Sequence, residues 1–285
     1  MMNRKISRRA LLGGAVALGA ARASRITAAG DSRGAVAAEQ FDFPLIDFHA
    51  HVEGDFSLLV ALYQADKLGV KLGLAAHGGC HDPMNNDAAL RKYLNSVVSQ
   101  PVFKGMQADG DDWMNCFSKE AVAELDYVLS DALTFPEKDG RLVRLWTPEA
   151  KVTDKQDFME RYTDYNVRVI TEEPIDIFAN PTYLPDSIVK DYDTLWTDKR
   201  MMRIIDAAVK YGVAIEINSL YNIPSAKFLR MAKQASVKFS FGSNAHNDGV
   251  GKLDYSIKMA KELGLTRDDM FMPAPQDQKP ILRRS

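Results

Sequence analysis

The feature that most constrains the fold of this chain is a strand–helix alternation that repeats seven times without a change of composition. Short apolar stretches at 45–51, 71–77, 102–109, 126–133, 175–181, 213–219 and 237–246 read as strands. Between most of them lie segments with apolar residues at helical spacing, such as "SLLVALYQADKL" stopping at Gly69 and "DKRMMRIIDAAVKYG" closed by Gly212. After a longer loop, Thr153 with Gln156 three residues on predicts a capping box for a helix near 154–171. Alternating units of this kind build a parallel sheet with helices outside, and seven in a row favour a closed barrel over an open sheet. Of 285 residues 46% are hydrophobic, enough to fill such a core. The barrel domain is expected over 41–275, with a tail at 276–285.

In such barrels the C-terminal strand ends carry the chemistry. His51, His77, Asp109, Asp131, Asn180, Asn218 and His246 all fall at or near predicted strand ends. Four of the five histidines, at 49, 51, 77 and 246, end strands, and His81 lies in the loop beyond one. In "PLIDFHAHVEG" period two sends Asp47, His49 and His51 to one face, leaving Ile46, Phe48 and Ala50 for the helices. Buried imidazoles need partners, and a divalent ion or a hydrogen-bonded core pair would each provide them. Asp131 stands inside a strand between Leu129 and Leu133 and is the better candidate carboxylate. Asp109 could be a ligand, a general base or a partner of an imidazole, but in "ADGDD" it reads more readily as a turn residue; His81 reads as a surface loop residue, and Tyr183 as packing more readily than as a wall of the pocket. Glu216 and Asn218 share one face of the sixth strand.

The first thirty residues differ from the rest. Arg4, Lys5, Arg8 and Arg9 precede a short Ala/Leu/Gly/Val stretch and a small-x-small site at Ala21-Arg22-Ala23. This is the layout of an export signal, and "SRRALL" carries the paired arginines of the twin-arginine type. The expectation is a periplasmic or extracellular protein that meets the twin-arginine export machinery and keeps no stable membrane anchor. Cleavage after Ala23 would remove five basic and no acidic residues, taking 36 basic against 38 acidic to 31 against 38. With no basic stripe, nucleic acid is not an expected partner. In an oxidising compartment Cys80 and Cys116 could pair, or remain two free thiols.

The chain resembles the PHP (polymerase and histidinol phosphatase) superfamily over roughly 44–265. The resemblance is carried by "DFHAH", "AAH", "ANP", "IEIN" and "GSNAH" followed by "GKLDYSIKMAKELGL". It implies an α/β fold, a distorted TIM-like barrel of seven strand–helix units, and a metal-dependent hydrolase of phosphate esters. Several ligand positions depart from the family pattern: Ala76, Gln107, Asp131, Asn180 and Asn244 stand where Asp, Glu, His, His and Asp are usual. A three-ion centre without those carboxylates cannot be neutralised, so one zinc or manganese ion is expected. The implied ligands are His49, His51, His77, His246 and Asp131. Asp131 and His246 are the implied catalytic groups, and Gln107, Asn180, Glu216, Asn218 and Asn244 line a pocket for a small-molecule substrate. The competing expectations are a non-catalytic binding protein for a polar ligand, to which the Asn and Gln replacements are suited, and an amidohydrolase-like enzyme.

Overall fold

The structure is a computed structural model, and it describes residues 41–53 and 56–284. The expected export signal lies outside the described residues. Seven parallel strands close into a barrel in the order β1 (Ile46–Ala50), β2 (Lys71–Gly78), β3 (Val102–Ala108), β4 (Tyr127–Ser130), β7 (Ile177–Phe178), β8 (Ala214–Asn218) and β9 (Phe239–Gly242). Closure comes from β9 pairing with β1 through Asp47 and Phe241. All seven expected strands are therefore present in a TIM-like α/β barrel. Helices α1 (Leu58–Leu68), α2 (Asp87–Val97), α3 (Lys119–Val122), α4 (Lys155–Glu172), α5 (Tyr192–Leu195), α6 (Asp198–Tyr211), α7 (Ala226–Gln234) and α8 (Asp254–Leu263) fall between and after the strands. Gly212 ends α6 in the left-handed conformation (φ 68°), which costs a residue without Cβ little.

Four local expectations need correction. The cap of α4 is Asp154, whose side chain accepts from the Gln156 and Asp157 amides, and not Thr153. The longer loop before α4 contains a hairpin, β5 (Thr134–Pro136) with β6 (Leu142–Arg144). The terminal segment, expected as a tail, forms α9 (Pro280–Arg283), with Ile281 buried and the Arg284 guanidinium donating to the Ile170 carbonyl.

The fourth correction concerns β1 and shapes the site. The β1–β2 register slips between Asp47 and Ala50: Asp47 faces Leu72, and Ala50 faces Leu74. That is one extra residue on β1, a bulge, and it breaks the strict alternation. Phe48 turns into the barrel, where it packs with Phe103 and Tyr127 and its carbonyl accepts from the Tyr127 hydroxyl. Ile46 joins it in a cluster drawn from several strands: Ala75, Leu129, Ile177 and Ala214. His49 also points inward, bridging β3 and β8. Ala50 packs outward on Ala61 and Ala65 of α1. Asp47 leaves the histidine face and accepts from the Ser243 amide (2.9 Å), the Ser243 hydroxyl (2.6 Å) and the Gly251 amide (2.9 Å).

Candidate metal centre

Barrel closure makes β9, β1 and β2 neighbours, and each carries one histidine of a cluster at its C-terminal end. His51 follows β1, His246 follows β9, and His77 lies in β2. A bridge between Ala50 and Ala245 and the bond from the His51 amide to the Ala245 carbonyl (2.9 Å) extend the β1–β9 pairing, so His51 and His246 lie side by side. One ring nitrogen from each of His51, His77 and His246 lies within 4.8 Å of the others. The ring centres are 4.5 Å (51–77), 4.2 Å (51–246) and 5.8 Å (77–246) apart. Three imidazoles on one tetrahedral ion at 2.0–2.1 Å would have ring centres about 5 Å apart and nitrogens about 3.3 Å apart. Two of the three ring-centre distances are already shorter than that, and the ring planes lie within 13° of parallel, so the rings would have to turn their nitrogens toward a common point, not approach one another, to hold one ion.

The partners of the rings match that reading. The His77 Nδ1 meets the Asp109 carboxylate at 2.7 Å, and the His246 Nδ1 meets the Glu53 carboxylate. Each carboxylate leaves Nε2 free and holds the ring, the usual arrangement behind a metal-bound imidazole. His51 is 2% exposed, and neither of its ring nitrogens has a hydrogen-bond partner. The Ala75 carbonyl comes near the ring but outside good hydrogen-bond geometry. An orphaned buried imidazole costs about 1–3 kcal/mol, and an ion would supply the missing partner. Burial, then the neighbouring imidazoles, pushes His51 well below the ordinary histidine range, which keeps it neutral as a ligand must be. Burial pulls His77 down as well, but Asp109 outweighs it and the net shift is upward.

His49 lies beside His51, ring centres 5.1 Å apart and edge-on, but it is not part of the ligand group. Its Nδ1 meets Glu216 Oε1 at 2.6 Å and its Nε2 meets Gln107 Oε1 at 2.9 Å, so both nitrogens are engaged. Burial disfavours the charged ring, but Glu216 reverses the balance; His49 is raised and Glu216 lowered, an ion pair inside the barrel. Gly242 makes room for that pair: a Cβ there would run into the Glu216 carboxylate and lie 2.7 Å from the His49 Cβ. Glu216 Oε2 accepts from the Asn180 amide (2.7 Å) and from Asn218 (3.1 Å). Asn180 Oδ1 accepts from Asn218 (2.9 Å) and Asn244 (3.1 Å), and its Nδ2 donates to Asp131 (2.8 Å). Asn180 and Asn244 both adopt left-handed backbone, φ 47° and 50°, which asparagine tolerates better than most residues. Asp131 also accepts from the Leu133 amide (2.9 Å), and burial pushes it up to about 6.

The histidine cluster opens into a cleft of about 610 Å³. Gln107, Asp109, Asp131, Asn180 and Asn244 line it with the three histidines, whereas Glu216 and Asn218 lie buried behind its floor. Asp109, read from sequence as a turn residue, instead holds His77. The His81 side chain is 91% exposed, as a surface loop residue would be, and Tyr183 packs edge-on against Tyr221. Glu53 and Arg144 were missed. Glu53 sits two residues past the second histidine of "HAHVE", in period with His49 and His51, so the alternation that flags the histidines also points to it. Arg144 reaches the cleft on the unforeseen hairpin.

No family model and no curated protein matches the chain. Among solved structures it is similar to a chain of the "cryo-EM structure of archaeal Ribonuclease P with mature tRNA", at 13% identity and a TM-score of 0.38, covering 77% of this chain and 87% of that one. A likeness at that level carries no argument about what this chain does.

Proposed function

We propose that this protein is a metal-dependent hydrolase with a single-ion site, a divergent member of the PHP superfamily acting on a small molecule such as a phosphate ester. The observation that carries the reading is His51: a buried imidazole with both nitrogens unpartnered, flanked by two histidines that carboxylates orient toward it. His51, His77 and His246 would hold the ion, zinc being the one best suited to three imidazoles. A bound ion would supply a Lewis acid and an acidified water. The chain's own residues do the rest. Asp131, raised to about 6 and held by Asn180 and Leu133, exchanges a proton near neutral pH. Gln107 and Asn244 offer amide groups at the cleft floor to orient a substrate oxygen. His49 and Glu216 brace that floor as an internal ion pair.

We further propose that the protein is exported through its twin-arginine-type N-terminus. The Cys80–Cys116 bridge (Cα–Cα 5.5 Å) supports an oxidising compartment.

The test is metal-linked stability. Zinc added to chelator-treated protein should bind near one ion per chain and raise the melting temperature, because an ion bound only by the folded state stabilises it. His51→Leu should abolish that rise while leaving the metal-free protein at least as stable, since it removes an unsatisfied buried group. A His51→Leu protein that keeps the zinc-dependent rise would overturn the reading. The neutral amides at Gln107, Asn180 and Asn244 favour a second reading, a non-catalytic pocket for a polar ligand. Zinc binding without turnover of any phosphate-ester, ester or amide substrate would support it.

A further inference from the structure

The hairpin inserted between β4 and α4 builds one wall of the cleft. From Leu142 to Trp146 its residues alternate: Val143 and Leu145 are buried in the core, while Leu142, Arg144 and Trp146 line the cleft. Leu220 and Tyr221, in the loop after β8, line it too. Leu142, Trp146 and Leu220 are 59%, 46% and 53% exposed, so large apolar side chains collect at the mouth of a cleft whose floor is polar. Exposed apolar groups gathered at a concave polar site mark ligand contact more than fold stability.

Arg144 is the cation of this wall. Its guanidinium lies 5.9 Å from the centre of the Trp146 ring, and among the described residues it has neither an ion-pair partner nor a side-chain hydrogen bond. Arg161, by contrast, is paired with Glu137 and Asp157, and Arg200 with Glu160. Asp82, which lines the same cleft, is near enough to feel the Arg144 charge but forms no salt bridge with it; a guanidinium without a bound partner beside an aromatic face is suited to an oxyanion.

We infer that Arg144 and Trp146 select the substrate: a small organic anion with a planar apolar body against Trp146 and Tyr221 and a carboxylate or phosphate on Arg144. The inference rests on the hydrolase reading only for its direction, which puts the labile end of the molecule at His51, His77 and His246. Arg144 is then a specificity-determining residue, supplied by an insertion rather than by the barrel strands.

Calorimetric titration with benzoate, phenyl phosphate and neutral benzamide, on metal-free and zinc-loaded protein, tests it. At least one of the anions should bind the metal-free protein about tenfold tighter than benzamide, and Arg144→Gln should bring it within about twofold. The order of benzoate and phenyl phosphate distinguishes carboxylate from phosphate. Trp146→Leu should weaken all three. Because Arg144 is exposed and its neighbours Val143 and Leu145 anchor the hairpin, Arg144→Gln leaves the packing intact. Arg144→Lys should keep part of the preference. Equal binding of all three compounds, no binding by any, or a preference that survives Arg144→Gln would overturn the inference. A preference that appears only with zinc and ignores Arg144 would leave the hydrolase reading standing and refute this one. An Arg144-dependent preference in a protein that binds no zinc would do the reverse.

Discussion

Substituting Asp109 by Asn isolates what one carboxylate contributes to the histidine cluster. Asp109 Oδ2 sits 2.7 Å from His77 Nδ1, and the two side chains are 35% and 30% exposed. Asn preserves the size and can still accept from Nδ1–H, but it removes the charge that makes Nε2 a stronger donor to an ion. Losing such a supporting partner typically costs 10–100-fold in metal affinity. Partial exposure screens the pair, so the lower end applies: about tenfold, or about 1.4 kcal/mol. The sign of its pH dependence follows from the raised His77. In the wild type Asp109 stabilises the His77 imidazolium as well as the metal-bound ring, so protons compete with the ion as the pH falls. Asp109→Asn relieves that competition, and the defect should therefore be largest at pH 8 and shrink by pH 6. Competition with a chromophoric zinc chelator at the two pH values measures both quantities. Wild-type affinity at pH 8, or a defect that grows toward pH 6, would refute the reasoning.

Three further outcomes follow from other parts of the fold. Glu173 is buried, accepts from the Trp113 indole (3.0 Å) and is raised by burial to about 7 from an ordinary 4.5. A raised carboxyl favours the folded state fully below pH 4.5, and that contribution is lost as pH rises through about 7. Glu173→Gln should thus match the wild type near pH 5 and exceed it at pH 8.5 by up to about 3 kcal/mol in urea unfolding; equal stability at both pH values would count against it. Gly242→Ala should cost about 1–3 kcal/mol, because its Cβ collides with Glu216 and His49, and thermal melts would show no change if the pair could yield. Cys80 and Cys116 close a loop with a sequence separation of 36 that joins the segments carrying His77 and Asp109. Replacing both by Ser should lower stability by about 4 kcal/mol at most and weaken zinc binding. Unchanged zinc affinity would show that the bridge does not support the His77–Asp109 couple.

The sequence by itself determined the barrel. Seven apolar runs separated by helical periods leave few alternatives, because each strand–helix unit buries its apolar face only by stacking on the next. It also placed His51, His77, His246 and Asp131 at one rim, since strand ends in such a barrel share one. Tertiary structure decided which of these side chains meet. A bulge in β1 breaks the alternation assumed for Asp47, His49 and His51, so Asp47 goes to Ser243 and His49 to Glu216, and His51 alone joins the cluster. Register slips of one residue leave no mark in hydrophobic pattern when every position is buried, as all five residues of β1 are. For the carboxylates behind the histidines, Asp109 at a strand end and Glu53 in period with His51 are marked in the sequence, but the histidine each one meets is not. Glu53 touches His246 only because barrel closure brings β9 beside β1, a contact between residues far apart in the chain. Arg144 reaches the cleft at the end of a three-residue strand, too short for period two to announce, and Trp146 in the turn just beyond it, so only the fold of the hairpin over the rim brings them to the cleft.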